Sequence, residues 1–154
     1  MPDTLTDSIC LRTVRPDDLP ALVTLLNQST RTSLAAATRA YERIRAQGNF
    51  VVRVAESSSR LVGTYGLMAM DNLGHDGAPV GIVENVVVDA AWRRRGLGRA
   101  LMDDAVAHAR AAGCYKLVLA SNDALREAHA FYEALGFARQ GVAFSLALAP
   151  PQAT

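Results

Sequence analysis

Apolar residues along this chain recur at two spacings, and each change of spacing marks a new element. Residues 9–13 read as a first strand, after a frayed start over about residues 1–8. Pro16-Asp17-Asp18 is a helix start, with a cap candidate and acid in the first turn, and Leu19, Leu22, Val23 and Leu26 follow at helical spacing. Thr32 or Ser33 can cap a second helix that carries Leu34, Ala37, Tyr41 and Ile44 on one face, with Gly48 as its stop. Residues 50–56 and 60–70 are strands about a serine turn. Gly63 and Gly66 interrupt the second of them and mark a bulge or a close backbone approach. A polar loop, 71–79, leads to an antiparallel fourth strand over 80–88.

The next helix spans about residues 98–112, with Leu97, Leu101, Ala105 and Ala109 inward and Arg99, Asp103 and Arg110 outward. Gly113 ends it. Residues 114–120 form a fifth strand, parallel to the fourth because a right-handed crossover joins the two. A last helix covers about 124–135 with Gly136 as its cap. Residues 137–140 and 142–147 close the sheet as a hairpin about Gly141. The order is β-α-α-β-β-β-α-β-α-β-β. It predicts an α+β domain, with a mixed, mostly antiparallel sheet of about six to seven strands flanked by about four helices. One domain spans the 154 residues, with frayed ends over about 1–8 and 149–154.

Composition narrows the function classes. Half the residues are apolar, a fifth are charged and the net charge is +1, so bulk attraction to nucleic acid or to a membrane surface is not expected. Cys10 and Cys114 stand far apart without a C-x-x-C, and residues 1–8 are polar and acidic. A reducing, cytoplasmic setting is the expectation. No apolar run reaches the roughly 18 to 20 residues of a membrane span. His75, His108 and His129 share no turn, so no metal site is expected.

The chemistry concentrates where Val86-Val87-Val88 breaks at Asp89 and passes through Arg93-Arg94-Arg95-Gly96-Leu97-Gly98-Arg99 into a helix. The first N–H groups of a helix lack intrahelical partners, and the macrodipole favours an anion there. Glycine lets backbone approach that anion, and arginine pairs with phosphate oxygens. No Gly-Lys-Ser/Thr follows, so this is not a P-loop. Leu101 stands where a dinucleotide fingerprint needs a third small residue.

Arg93-x-x-Gly96-x-Gly98 resembles the phosphate-turn signature of the GNAT N-acetyltransferases, and Ala128-x-x-Phe131-Tyr132-x-x-x-Gly136-Phe137 is similar to that family's C-terminal motif. The two motifs cover residues 82–137. The position after Arg93 is often glycine in the family and is Arg94 here.

The resemblance implies a fold in which the fourth and fifth strands splay to admit acetyl-coenzyme A, leaving coenzyme A as product and using no metal. Its pyrophosphate would lie on the amides of Arg93, Arg94, Arg95, Gly96, Leu97, Gly98 and Arg99. Its pantetheine arm would meet the main chain of Val86, Val87 and Val88, with Asn122 as a further donor. Tyr132 would protonate the leaving thiolate. The region between the first two helices would supply the acceptor site, where Asn27 and Arg31 are the candidates. Late strands serve dimerisation in many relatives, and the apolar run 142–147 suits a homodimer.

An amine acceptor with a pKa of about 10.4 is free base in only about one molecule in 10³ near pH 7, a penalty of roughly 4 kcal/mol. The proton needs a route. Glu84 is the candidate base and also an acceptor-site residue: it shares a period-two face with Val86 and Val88, and burial in that apolar strand would raise its pKa. The expected activity is direct acetyl transfer to the primary amine of a small molecule. A protein amine acceptor and a non-catalytic acyl-coenzyme A sensor are the alternatives.

Overall fold

The first four strands follow the apolar runs closely, whereas the fifth, expected over 114–120, forms only over Lys116–Val118. The computed structural model describes residues 8–149, in two compact units divided after Leu119.

The first unit carries five strands in sequence order across one sheet: β1 (Cys10–Thr13), β2 (Phe50–Ser57), β3 (Arg60–Met70), β4 (Val80–Val88) and β5 (Lys116–Val118). Neighbours are antiparallel except β4 and β5, which are parallel and joined by helix α3 (Leu97–Ala111). That crossover follows the sequence expectation. A 3-10 turn at Pro16–Asp18 leads into α1 (Leu19–Leu26), and α2 (Leu34–Gln47) follows. Ser33 caps α2 by accepting the Ala36 N–H at 3.2 Å, and Gly48 ends it at φ 73°.

One sheet face packs Val54, Leu61 and Val87 against Leu19, Leu22 and Leu25 of α1. The other receives α3 through Leu97, Leu101, Met102, Ala105 and Ala109, all buried. Each fully buried leucine contributes roughly 1.5–3 kcal/mol, so this stripe anchors the helix whose first turn carries the arginines. The close approach expected at the strand glycines is present. A Cβ on Gly63 would sit 3.0 Å from Leu101 Cδ1, and one on Gly66 would sit 3.0 Å from Phe50 Cε1.

A bulge is present as well: Ala55 pairs with Gly63 and Glu56 with Leu61, so Val62 is an extra residue on β3, and a second bulge lies on β4. Gly66 pairs with Glu84 and Thr64 with Val87, so Asn85 and Val86 together oppose Tyr65, and Asn85 turns left-handed at φ 53°. Glu84 therefore lies on the face of Val87, while Val88, paired with Gly63, lies on the other. The expectation that Glu84 shares a face with Val86 and Val88 is overturned, because one extra residue reverses a period of two.

In the second unit, α4 (Arg126–Ala134) ends at Gly136 with φ 94°. No strand forms over residues 137–148, and Val142, Phe144, Leu146 and Leu148 are 78–94% exposed. The expected closing hairpin about Gly141 is absent, so the sheet has five strands among the described residues rather than six or seven. Apolar alternation gives a segment two faces, but a ladder also needs a backbone partner, and the described residues of this unit supply none. The frayed ends fall largely outside the described residues.

Candidate active site at the end of the fourth strand

β5 pairs with β4 only at Val80, Gly81 and Ile82, whereas β4 runs on to Val88. β5 ends at Val118, its last residue paired with Ile82, so it gives β4 no ladder partner from Val83 to Val88. The backbone of Val86 and Val88 lies in this length of β4. The Val87 side chain is core. Past Val88 the chain is held at Asp89, which is buried. Its N–H donates to Val62 O at 2.9 Å, and its Oδ1 accepts the Ala91 N–H at 2.9 Å. Its Oδ2 receives Gln28 Nε2 at 3.2 Å and Arg60 Nη2 at 3.3 Å. The Ala91 hydrogen bond above all, then Gln28 and Arg60, holds this carboxyl below its usual range against the opposing effect of burial.

A 3-10 turn, Ala90–Trp92, then delivers the arginines. Arg93 is extended, Arg94 is left-handed at φ 61°, and Gly96 is left-handed at φ 82° as the N-cap of α3. The left-handed Arg94 explains why glycine suits that position: a side chain there costs roughly 1–2 kcal/mol. Gly96 O accepts the Ala100 N–H at 3.1 Å, so the amides of Leu97, Gly98 and Arg99 form the first, donor-rich turn. Leu97 turns its side chain into the core, so its amide is what it offers an anion. Arg93, Arg94, Arg95 and Arg99 are exposed. Among the described residues none of the four makes an ion pair, and the Arg95 guanidinium lies 5.1 Å over the Trp92 ring. Guanidinium groups without ion-pair partners around the first amides of a helix suit a diphosphate.

On the sheet face of α1 and α2, a pocket of about 290 Å³ is lined by Thr30 and Arg31 of the connecting loop, Tyr41, Phe50, Gly66 and the bulged Asn85. Arg31, one of the two expected acceptor-site residues of that loop, lines this pocket. Asn27 does not line the pocket. Its Oδ1 accepts the Thr32 N–H at 2.9 Å and its Nδ2 donates to Thr32 O at 3.1 Å, which braces the loop. Glu84 immediately precedes Asn85 and is exposed, so the expectation of a buried carboxylate fails: its cross-strand partner, Gly66, has no side chain to cover it.

In the second unit, Tyr132 is half-buried, its ring edge-on to Phe131 at 5.1 Å and to Phe137 at 5.7 Å. Burial raises its pKa, so the hydroxyl keeps its proton at neutral pH. Asn122 accepts the Ala124 N–H at 2.9 Å through its side chain, and His129 Nε2 meets its carbonyl at 2.9 Å. These contacts shape the turn before α4. Three residues that position the site escape a sequence reading. Gln28 and Asp89 meet across 61 positions. Asn85 left one signal: asparagine is among the few side chains that tolerate a left-handed backbone.

The model of the acetyltransferase (GNAT) family matches residues 19–137. Glucosamine 6-phosphate N-acetyltransferase of Trypanosoma brucei brucei is 35% identical over 131 residues, 82% of this chain and 87% of that one. A probable glucosamine 6-phosphate N-acetyltransferase of Oryza sativa is 40% identical over 100 residues, 62% of this chain and 58% of that one. Among solved structures, the glucosamine-6-phosphate N-acetyltransferase of Arabidopsis thaliana superposes with a TM-score of 0.83 at 26% identity, covering 92% of this chain and 99% of its own. These matches show that the chain belongs to the GNAT acetyltransferase family and is an N-acetyltransferase.

Proposed function

We propose that the chain transfers the acetyl group of acetyl-coenzyme A to the primary amine of a small phosphorylated amino sugar, by direct attack while both substrates are bound. The observation that carries this reading is the pocket at the β4 bulge, beside the length of β4 that β5 leaves unpaired. Its volume suits a small metabolite, its polar lining includes Arg31 and Thr30, and Tyr41 and Phe50 offer ring faces. Three of the similar proteins carry glucosamine 6-phosphate in their names, which supports the acceptor class.

The turn of residues 93–99 holds the diphosphate of the donor. The β4 backbone at Val86 and Val88 orients its arm, with Asn122 as a further donor. Holding both reactants in attack geometry supplies the larger part of the acceleration, roughly 7–11 kcal/mol. Glu84, being exposed, takes the ammonium proton through water. The freed amine attacks the thioester carbonyl, the C–S bond breaks, the thiolate receives the Tyr132 proton, and the proton lost by the new amide nitrogen returns through water to the tyrosine. The two free thiols fit a cytoplasmic setting. The exposed stripe Val142, Phe144, Leu146 and Leu148 favours a homodimer in which a second copy covers it.

The test is thiol release from acetyl-coenzyme A across a panel of amines that includes glucosamine 6-phosphate. Glu84→Gln is expected to lower kcat about 10²-fold without abolishing turnover, and Tyr132→Phe to lower it by a similar factor. Turnover on unphosphorylated amines alone would refute the phosphorylated acceptor. Full activity in both variants would refute both residue roles.

A further inference from the structure

The loop that lines the acceptor pocket and the turn that would hold the donor are joined through one side chain. Gln28 Nε2 donates to Asp89 Oδ2 at 3.2 Å, and Gln28 Oε1 accepts the Ala90 N–H at 3.1 Å. On the turn side, Asp89 is already fixed by Val62 O, the Ala91 N–H and Arg60. On the loop side, Asn27 clasps Thr32 through both of its side-chain groups, so residues 27–32 form a closed ring. Thr30, Arg31 and Thr32 of that ring line the pocket.

Gln28 is exposed. Its two hydrogen bonds satisfy no buried group of its own, and Asp89 keeps three partners without it. Asp89 is buried, but the Ala91 N–H and Arg60 still pair its carboxylate when Gln28 is removed, so no buried charge is left unpartnered. The larger consequence of the two Gln28 bonds is positional, because they tie a pocket-lining ring to the segment that leads into the arginine turn.

We propose that Gln28 is a positioning residue that couples the donor turn to the acceptor loop. An anion seated on residues 93–99 stiffens the Asp89–Arg93 segment. Through Gln28 this orders residues 27–32 and tightens acceptor binding. Coupling of this kind is reciprocal: the acceptor must tighten donor binding by the same factor. The acceptor half of this inference rests on the pocket assignment under Proposed function; the loop-ordering half does not.

The experiment is amide hydrogen exchange on the full chain with coenzyme A alone, in wild type and Gln28→Ala. In wild type, coenzyme A is expected to slow exchange at residues 94–99 and, by about fivefold or more, at residues 27–32. In Gln28→Ala the protection at 94–99 remains and that at 27–32 is lost. Steady-state rates should then show KM for glucosamine 6-phosphate raised about fivefold, with kcat within about twofold of wild type. Equal loop protection in the variant, or none in wild type, overturns the coupling. So does a melting temperature lowered by more than about 4 °C, which would assign the bonds to folding. Loss of loop protection in the variant together with no turnover on glucosamine 6-phosphate in wild type would overturn the acceptor assignment and leave the loop ordering intact.

Discussion

Two groups of arginines stand on the same scaffold in opposite surroundings. Arg12 and Arg53 are largely covered and paired. Arg12 reaches Asp18 at 2.7 Å and also Glu56, which ties β1 to the first turn and to β2. Arg53 on β2 pairs with Asp104 of α3 at 2.9 Å, and the buried Tyr65 donates its hydroxyl to the same carboxylate at 2.7 Å. Arg93, Arg94, Arg95 and Arg99 face solvent with no carboxylate partner among the described residues. A guanidinium matched to a carboxylate is occupied with holding elements together. Four held around a helix N-terminus without one leave their charge for a ligand. Substitutions in the first group should therefore change stability and spare coenzyme binding, and those in the second should do the reverse.

The largest expected effect lies in the first group. Asp104→Ala leaves Arg53 and the Tyr65 hydroxyl without their partner in a covered site, at a cost of about 3 kcal/mol of stability with coenzyme A affinity unchanged. Its pH dependence has a definite sign. Burial pushes the Asp104 carboxyl upward, but hydrogen bonds from Arg53 and Tyr65 outweigh it and hold the folded pKa below the usual value. The unfolded chain therefore binds that proton more tightly. The contribution is complete above about pH 4 and is lost as pH falls below it toward the folded pKa. Denaturant titrations between pH 2 and 6 should show a shallower acid decline in the variant. An unchanged decline would remove Asp104 from the account.

A smaller effect belongs to the second group. Arg93→Ala should weaken coenzyme A about tenfold and lessen the salt dependence of binding, with melting unchanged. Unaltered affinity by calorimetry would place the work on backbone amides rather than guanidinium groups. The smallest effect sharpens the contrast from the other side. Arg94→Gly relieves a left-handed backbone at φ 61° and should raise stability by up to about 1 kcal/mol while weakening coenzyme A. A fall in melting temperature would show that the Arg94 side chain stabilises the fold.

Much of this contrast was legible in the sequence. The bounds of β3 and β4 follow from their apolar runs, and the inward stripe of α3 was read from its spacing, with Met102 added by the structure. The arginine turn was legible because its donors are consecutive residues. What was not legible depends on pairing between distant segments. The bulge at Asn85 inserts one residue and moves Glu84 to another face and into solvent. The alternation at 142–148 looks like a strand but has no ladder partner among the described residues of its unit. Gln28 and Asp89 meet through a loop and a turn that carry no common pattern. Asp104 gave no sign that its partners would come from two strands.

Coenzyme A affinity in Gly98→Trp, measured by calorimetry, tests whether the first turn of α3 seats the coenzyme diphosphate. Gly98 is the second residue of α3, where a bulky side chain would stand over the amides that face the anion. The account predicts a loss of about a hundredfold or more, equivalent to about 2.7 kcal/mol, with wild-type melting. Wild-type affinity in that variant would contradict it.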